Sequence, residues 1–300
     1  MVSRRDFLKI GAGAAALTAI GALSINDTSD QIELLTSKIK IDKLPSAFQG
    51  YRIGFLSDIH LSQALPIEWL EKAVSLLKAA KIDLLILGGD YVWLPEPGKE
   101  PLFPLTRNPD LKMPYGRELI QMAFNTVAKT IAPLKLTDGI YALWGNHDRW
   151  TSEKICKAAF DAQSIKFLKN EIKILRRGNQ SILLVGFDDY WTGIPRIPKN
   201  IPENTCTICA AHNPDYFSQL LSTKSLKFDL GIAGHTHGGQ IKLPLVGATY
   251  QNISDTRLSE GLFSDQSGIQ IYTSKGLGMV EFPYRINCPP EVSILELSSI

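Results

Sequence analysis

Ile140-Tyr141-Ala142-Leu143-Trp144-Gly145-Asn146-His147-Asp148 is the stretch on which the reading of this chain turns. Ile140–Leu143 makes a short apolar strand. It runs straight into a glycine and three polar side chains able to bind metal or move a proton. The same event recurs elsewhere. Ile53–Leu56 runs into Ser57-Asp58-Ile59-His60, and Leu84–Leu87 into Gly88-Gly89-Asp90. Thr205–Ala211 ends at His212, and Phe228–Ala233 at Gly234-His235-Thr236-His237. Open α/β sheets bind ligands at the carboxyl ends of their strands. Five such ends therefore imply one shared site in a single α/β domain without an internal repeat. Further strands are expected at Ile32–Ile41, near 171–175 and 181–187, at Ile269–Thr273 and at Val292–Leu297. Pro66 opens a helix to Ala80, with Leu70, Val74, Leu77 and Ala80 at helical spacing, and a second helix spans 117–131.

The chain has 300 residues, 44% hydrophobic and 21% charged, the balance of an ordinary globule. Dominant disorder and a multi-span membrane protein are both excluded. Arg4, Arg5 and Lys9 against Asp6 account for the whole net charge of +2. The rest is neutral, so no basic field is present to bind nucleic acid. Cys206 and Cys209 stand three apart on a strand, which places their thiols on opposite faces as buried structural residues rather than a redox pair.

Residues 1–30 read as an address. Arg4-Arg5-Asp6-Phe7-Leu8-Lys9 precedes a charge-free run from Ile10 to Ile25 that is short for a membrane span. This resembles a twin-arginine signal, either cleaved or kept as an anchor, whose partner is the twin-arginine export machinery. It places the protein across, or attached to, a bacterial cytoplasmic membrane, in the periplasm or cell envelope. The domain proper is expected over 31–300, interrupted by an insertion at 93–116 that holds Pro95, Pro97, Pro101, Pro104, Pro109 and Pro114. Proline at that density blocks helix and central strand alike.

All five histidines, His60, His147, His212, His235 and His237, sit at or just past a strand end. Imidazole with carboxylate and amide oxygen suits Mn, Fe or Zn. No cysteine stands beside these motifs, which argues against a structural zinc. Asp58-Ile59-His60, Gly88-Gly89-Asp90, Gly145-Asn146-His147-Asp148, His212 and Gly234-His235-Thr236-His237 together resemble the calcineurin-like metallophosphoesterases in order and spacing. Gly238-Gly239-Gln240 and Ser274-Lys275-Gly276-Leu277-Gly278 are similar to the exported or membrane-attached bacterial branch.

The resemblance implies a four-layer αββα sandwich of two mixed sheets flanked by helices. It implies two divalent metal ions, one held by Asp58, His60 and His237 and the other by Asn146, His212 and His235, with Asp90 between them. His147 becomes the catalytic acid, and Asp148 orients or tunes it. The implied reaction is hydrolysis of a phosphodiester or phosphomonoester by metal-bound hydroxide outside the cytoplasm, without a phosphoenzyme. The alternative is a lipid-nucleotide pyrophosphatase of the UDP-2,3-diacylglucosamine type, at a membrane surface. A non-catalytic binding module would show a gap among these positions, and none is missing. Arg149 is a candidate phosphate contact or an ordinary surface arginine. Trp150 could line the mouth of the site, and Lys275 could approach substrate. The expected partner is a phosphorylated small molecule or lipid, with membrane association possible.

Overall fold

The computed structural model describes residues 25–62, 65–94 and 116–300. Most of the expected signal and of the Pro-rich insertion lies outside these residues. Two six-stranded sheets form the frame. The first contains β1 (Glu33–Lys40), β2 (Arg52–Leu56), β3 (Leu84–Leu87), β4 (Ile140–Ala142), β5 (Lys166–Phe167) and β14 (Glu291–Ser298), in the order β1-β14-β2-β3-β4-β5. β2 through β5 run parallel, and β14 is parallel to β1 but antiparallel to β2. The second contains β6 (Glu171–Arg177), β7 (Gln180–Gly186), β8 (Thr207–Ala210), β9 (Leu230–Ala233), β12 (Gly261–Ser264) and β13 (Gln270–Thr273), in the order β12-β13-β9-β8-β7-β6. Its centre is parallel and both outer pairs are antiparallel. A small hairpin, β10 (Lys242–Leu243) and β11 (Gly247–Ala248), stands apart from both sheets.

The side-chain period of two sorts each strand between layers. On β3, Leu84 and Ile86 face the second sheet, whereas Leu85 and Leu87 face helices α1 (Ile67–Ala79), α2 (Arg117–Ile131) and α3 (Asn146–Asp161). On the second sheet, Cys206 and Ile208 point between the sheets, while Cys209 packs outward with Phe217 and Leu220 of α4 (Asp215–Thr223). Three apolar layers therefore separate four structural ones, giving the αββα sandwich, and the two thiols do face opposite ways. Each fully buried Leu or Ile contributes about 1.5–3 kcal/mol.

The expected strands and both expected helices are present, the strands near 205–211 and 228–233 being shorter than read. Helix α3 goes unread in the sequence because its first turn is written in site residues, Asn146, His147 and Asp148, rather than in helix formers. It is fixed by a cap instead. The Asp148 carboxylate accepts the Gly145 N–H at 2.9 Å, so Asp148 closes the first turn onto the N-cap residue.

Candidate metal centre

Backbone conformation brings the strand ends together. Asp58, His60, Asp90, His235 and His237 all have left-handed backbones, with φ of 51°, 45°, 56°, 71° and 53°. Non-glycine residues adopt this region rarely and at a cost of about 1–3 kcal/mol each, and such strain collects at functional sites. Glycines remove the matter that would block the approach. A Cβ on Gly145 would stand 2.1 Å from Asp90 Oδ1, and one on Gly234 would stand 2.4 Å from Asp58 Oδ2.

All seven expected metal ligands converge. The ligand atoms of Asp58, His60 and His237 lie within 4.8 Å of one another, and so do those of Asp90, His212 and His235. Asp90 Oδ2 is 3.5 Å from His60 Nε2 and 3.3 Å from His212 Nε2, so one carboxylate faces both groups. Asn146 Oδ1 lies 3.1 Å from His212 Nε2. His212 Nδ1 sits 2.7 Å from the carbonyl of Gly88, which seats a ring proton there and turns Nε2 toward the cluster. Asp90 also accepts the His147 N–H at 2.9 Å, at the positive N-terminus of α3.

The electrostatics suit a cation. Burial alone would raise Asp90, but His212 and His147 and the His212 hydrogen bond hold its pKa well below the usual range. Burial, opposed mainly by His212, raises Asp58 to about 6. Burial pushes His60 and His237 well down and His235 to about 3, so these rings are neutral lone-pair donors at neutral pH. Asp58 Oδ1 and both ring nitrogens of His60 are buried without a hydrogen-bond partner. An orphaned buried polar group costs about 1–3 kcal/mol, and a coordinated ion would relieve it. Burial alone would lower His212, but the Asp90 charge and hydrogen bond raise its pKa well above the usual value, so an ion held there would displace a proton. Two buried carboxylates, one amide and imidazoles fit divalent metal ions.

His147 differs from the other four histidines in being only partly buried. It packs edge-on against His60 and Trp150, with centroids 4.9 Å away in each case, and burial lowers its pKa. His60, Asp90 and His147 also lie within the same 4.8 Å limit. Asp148 does not touch the His147 ring by any hydrogen bond. Its two oxygens accept the N–H groups of Asp90, Tyr91 and Gly145 at 2.8–2.9 Å, bracing the Asp90 loop and the start of α3 rather than the imidazole. Arg149 is already engaged. Its guanidinium meets Asp188 at 2.5 Å and the Thr192 carbonyl at 2.9 Å, and it is absent from the cavity wall. Lys275 is tied to Glu33 at 3.0 Å.

The cluster floors a cavity of about 650 Å³ walled by Trp93, Trp150, Trp191, Tyr250 and Phe282. Among the described residues no Lys or Arg lines it, and Glu281 does. Three contributors go unread in the sequence. Asp188 and Asp189 follow β7 just as the other motifs follow their strands, a signal of the same kind. Asp189 is fully buried with Oδ1 unpartnered. Arg285 is fully buried, and its donors reach the carbonyls of His237, Lys275, Gly276, Gly278 and Cys288 at 2.7–3.3 Å. No motif announces it.

Comparison with known proteins gives the family. Residues 51–239 match the family described as calcineurin-like phosphoesterase, and residues 1–21 match the twin-arginine translocation signal. Phosphodiesterase YaeI of Escherichia coli is 31% identical over 99% of this chain and 100% of its own. UDP-2,3-diacylglucosamine pyrophosphatase LpxG of Chlamydia muridarum is 27% identical over 84% of this chain and 86% of its own. Among solved structures, TT1561 of Thermus thermophilus aligns with a TM-score of 0.43 at 11% identity, over 76% of this chain and 90% of its own.

Proposed function

The chain belongs to the calcineurin-like phosphoesterases, hydrolases of phosphoester bonds, and carries a twin-arginine signal for export across the cytoplasmic membrane; from that premise we propose that it is a two-metal phosphodiesterase acting outside the cytoplasm. Asp90 carries the reading, because its carboxylate stands between two sets of ligand atoms. Asp58, His60 and His237 would hold one ion, Asn146, His212 and His235 the other, and Asp90 would serve both. When bound, divalent ions supply Lewis-acid charge and make water acidic enough to attack near neutral pH.

The protein's own groups do the rest. Gly88 fixes the His212 tautomer, and the α3 N-terminus fixes Asp90. His147 waits as a neutral imidazole beside the cavity. An arriving phosphate anion raises its proton affinity, so the ring takes up a proton from solvent as substrate binds, and the imidazolium passes it to the leaving oxygen as the P–O bond breaks. The cavity favours a singly charged diester over a dianionic monoester, since its described wall supplies no Lys or Arg and does supply Glu281. The aromatic wall supports a second reading, a lipid pyrophosphate substrate of the kind named for the Chlamydia relative.

Hydrolysis of bis-p-nitrophenyl phosphate and of p-nitrophenyl phosphate, with Mn, Fe or Zn restored after chelation, tests the proposal. Turnover should need metal, favour the diester, and fall about 10²–10⁴-fold in His147→Ala with metal content unchanged. Protein that binds no metal, or a variant that keeps full turnover, refutes it.

A further inference from the structure

Apolar surface gathers beside the cavity mouth on a strip made of three chain segments. Ile286 bridges Asp27 in antiparallel fashion and Ile241 in parallel fashion. The Asn287 N–H donates to the Asn26 carbonyl at 2.9 Å, and Lys242 donates to Ile286 at the same distance. Because the two pairings have opposite sense, falling numbers from Asp27 and rising numbers from Ile241 leave the strip at one end. Ile25, the first described residue, and the β10–β11 hairpin therefore emerge side by side.

The hairpin is unusual for a surface loop. Its turn is Pro244-Leu245-Val246; Leu245 is fully exposed in a left-handed conformation, φ 67°, and Val246 is 71% exposed. No residue from Leu243 to Ser254 carries a charge. Two tyrosines lie nearby, Tyr250 at 72% exposure on the hairpin side and Tyr284 at 48% on the neighbouring segment. The base of the hairpin is also cavity wall, through Ile241, Thr249 and Tyr250. The cavity wall thus reaches the base of the hairpin whose tip carries Leu245 and Val246.

We propose that this hairpin seats the protein on a lipid bilayer, with Leu245 and Val246 in the acyl boundary and the cavity mouth facing the membrane surface. Contiguous exposed apolar side chains mark interaction sites. A tip of this kind with tyrosines behind it has the chemistry of the bilayer interface, where aromatic rings sit at headgroup depth. A charge-free tip offers a protein partner no ion-pair register, whereas the acyl layer asks for none. The chain segment outside the described structure agrees, because the charge-free run Ile10–Ile25 joins the body at the same end of the strip. Docking itself stands apart from the phosphoesterase reading, and only its purpose, presenting a lipid phosphoester to the cavity, rests on it.

All four native cysteines are buried, so one introduced at the tip can be labelled alone. Full-length Val246→Cys carrying an environment-sensitive fluorophore is mixed with phosphatidylethanolamine–phosphatidylglycerol vesicles. Its emission should shift to the blue and be quenched by brominated acyl chains. The same label at Ser222→Cys on α4 should stay water-like. Leu245→Asp in the labelled chain should weaken the lipid response about tenfold or more, while hydrolysis of a soluble diester is unchanged. Docking is overturned if the tip label stays in water while the protein floats with vesicles, or stays in water with no binding. It is also overturned if the label becomes shielded without lipid as protein concentration rises, since a second copy would then be the cover. A preserved lipid shift without turnover on any diester would sink the functional reading and leave the docking intact.

Discussion

Replacing Arg285 should separate one half of the metal centre from the other. The guanidinium is fully buried and faces five carbonyls rather than a carboxylate. Three of its bonds are 2.9 Å or shorter, two to Gly278 and one to Lys275. The loop it clamps backs Asp58, with the Leu277 N–H on the Ser57 carbonyl at 3.0 Å and the Gly278 N–H on the Asp58 carbonyl at 2.6 Å. Arg285→Met keeps the stem and strips every donor. Hydrogen bonds to a charged group contribute about 1.5–3 kcal/mol each, and breaking a buried charged contact costs about 3–5 kcal/mol in all, which sets the expected loss. Unfolding entropy near 2.1 cal/mol/K per residue gives about 0.6 kcal/mol/K for this length, so Tm should fall by about 5–8 °C. Differential scanning calorimetry in chelator reads that term without metal. Metal content by atomic emission should then show preferential loss from the Asp58–His60–His237 side, a drop toward one ion per chain. Arg285→Lys, with a single three-donor ammonium, should fall between. A Tm within 1–2 °C of the parent, together with undiminished metal, would refute the argument that this arginine positions Asp58 and His237.

Other substitutions probe other parts of the site. Gly145→Ala drives a methyl into Asp90 Oδ1 and should abolish metal binding while circular dichroism keeps the sandwich signature; retained metal would contradict the close approach described. Asp148→Asn swaps one acceptor oxygen for a donor facing main-chain N–H groups. It should cost about 2–4 kcal/mol in urea unfolding and slow turnover through displaced Asp90 and His147. Asp255 is held down to about 2 by its hydrogen bond from Arg257 and by one from Ser218. Its small stabilising effect is complete above the ordinary carboxylate pKa and disappears as pH falls from about 4 to 2. Asp255→Asn should flatten the acid limb of stability in that window, and an unchanged limb would count against the pairing.

Much of this site is visible in one dimension because its chemistry is written in rare letters at regular places. Five histidines at four strand ends, with Asp90 at a fifth, stand out, and periodicity finds the strands that carry them. What stays hidden works through the main chain. Arg285 serves carbonyls, which any sequence supplies, so nothing beside it marks it. Asp148 looks like a partner for His147 from its position, yet its carboxylate turns back to cap α3. The membrane-facing hairpin is hidden for another reason, since Leu243, Leu245 and Val246 look like core residues until the fold shows that no layer covers them. Asp188 and Asp189 obeyed the rule that found the rest, and their strand was simply read without its end.

The proposed ligands are drawn from both sheets, Asp58, His60, Asp90 and Asn146 from ends of the first and His212, His235 and His237 from the second. No pair within one hairpin or helix can assemble even half the centre. Asp58 meets His237 at 3.6 Å although most of the chain separates them in sequence, a contact of very high order. Such contacts form late, after the long loops between them have closed. A metal ion held there would therefore need both sheets already packed, and its occupancy would report that they had found each other.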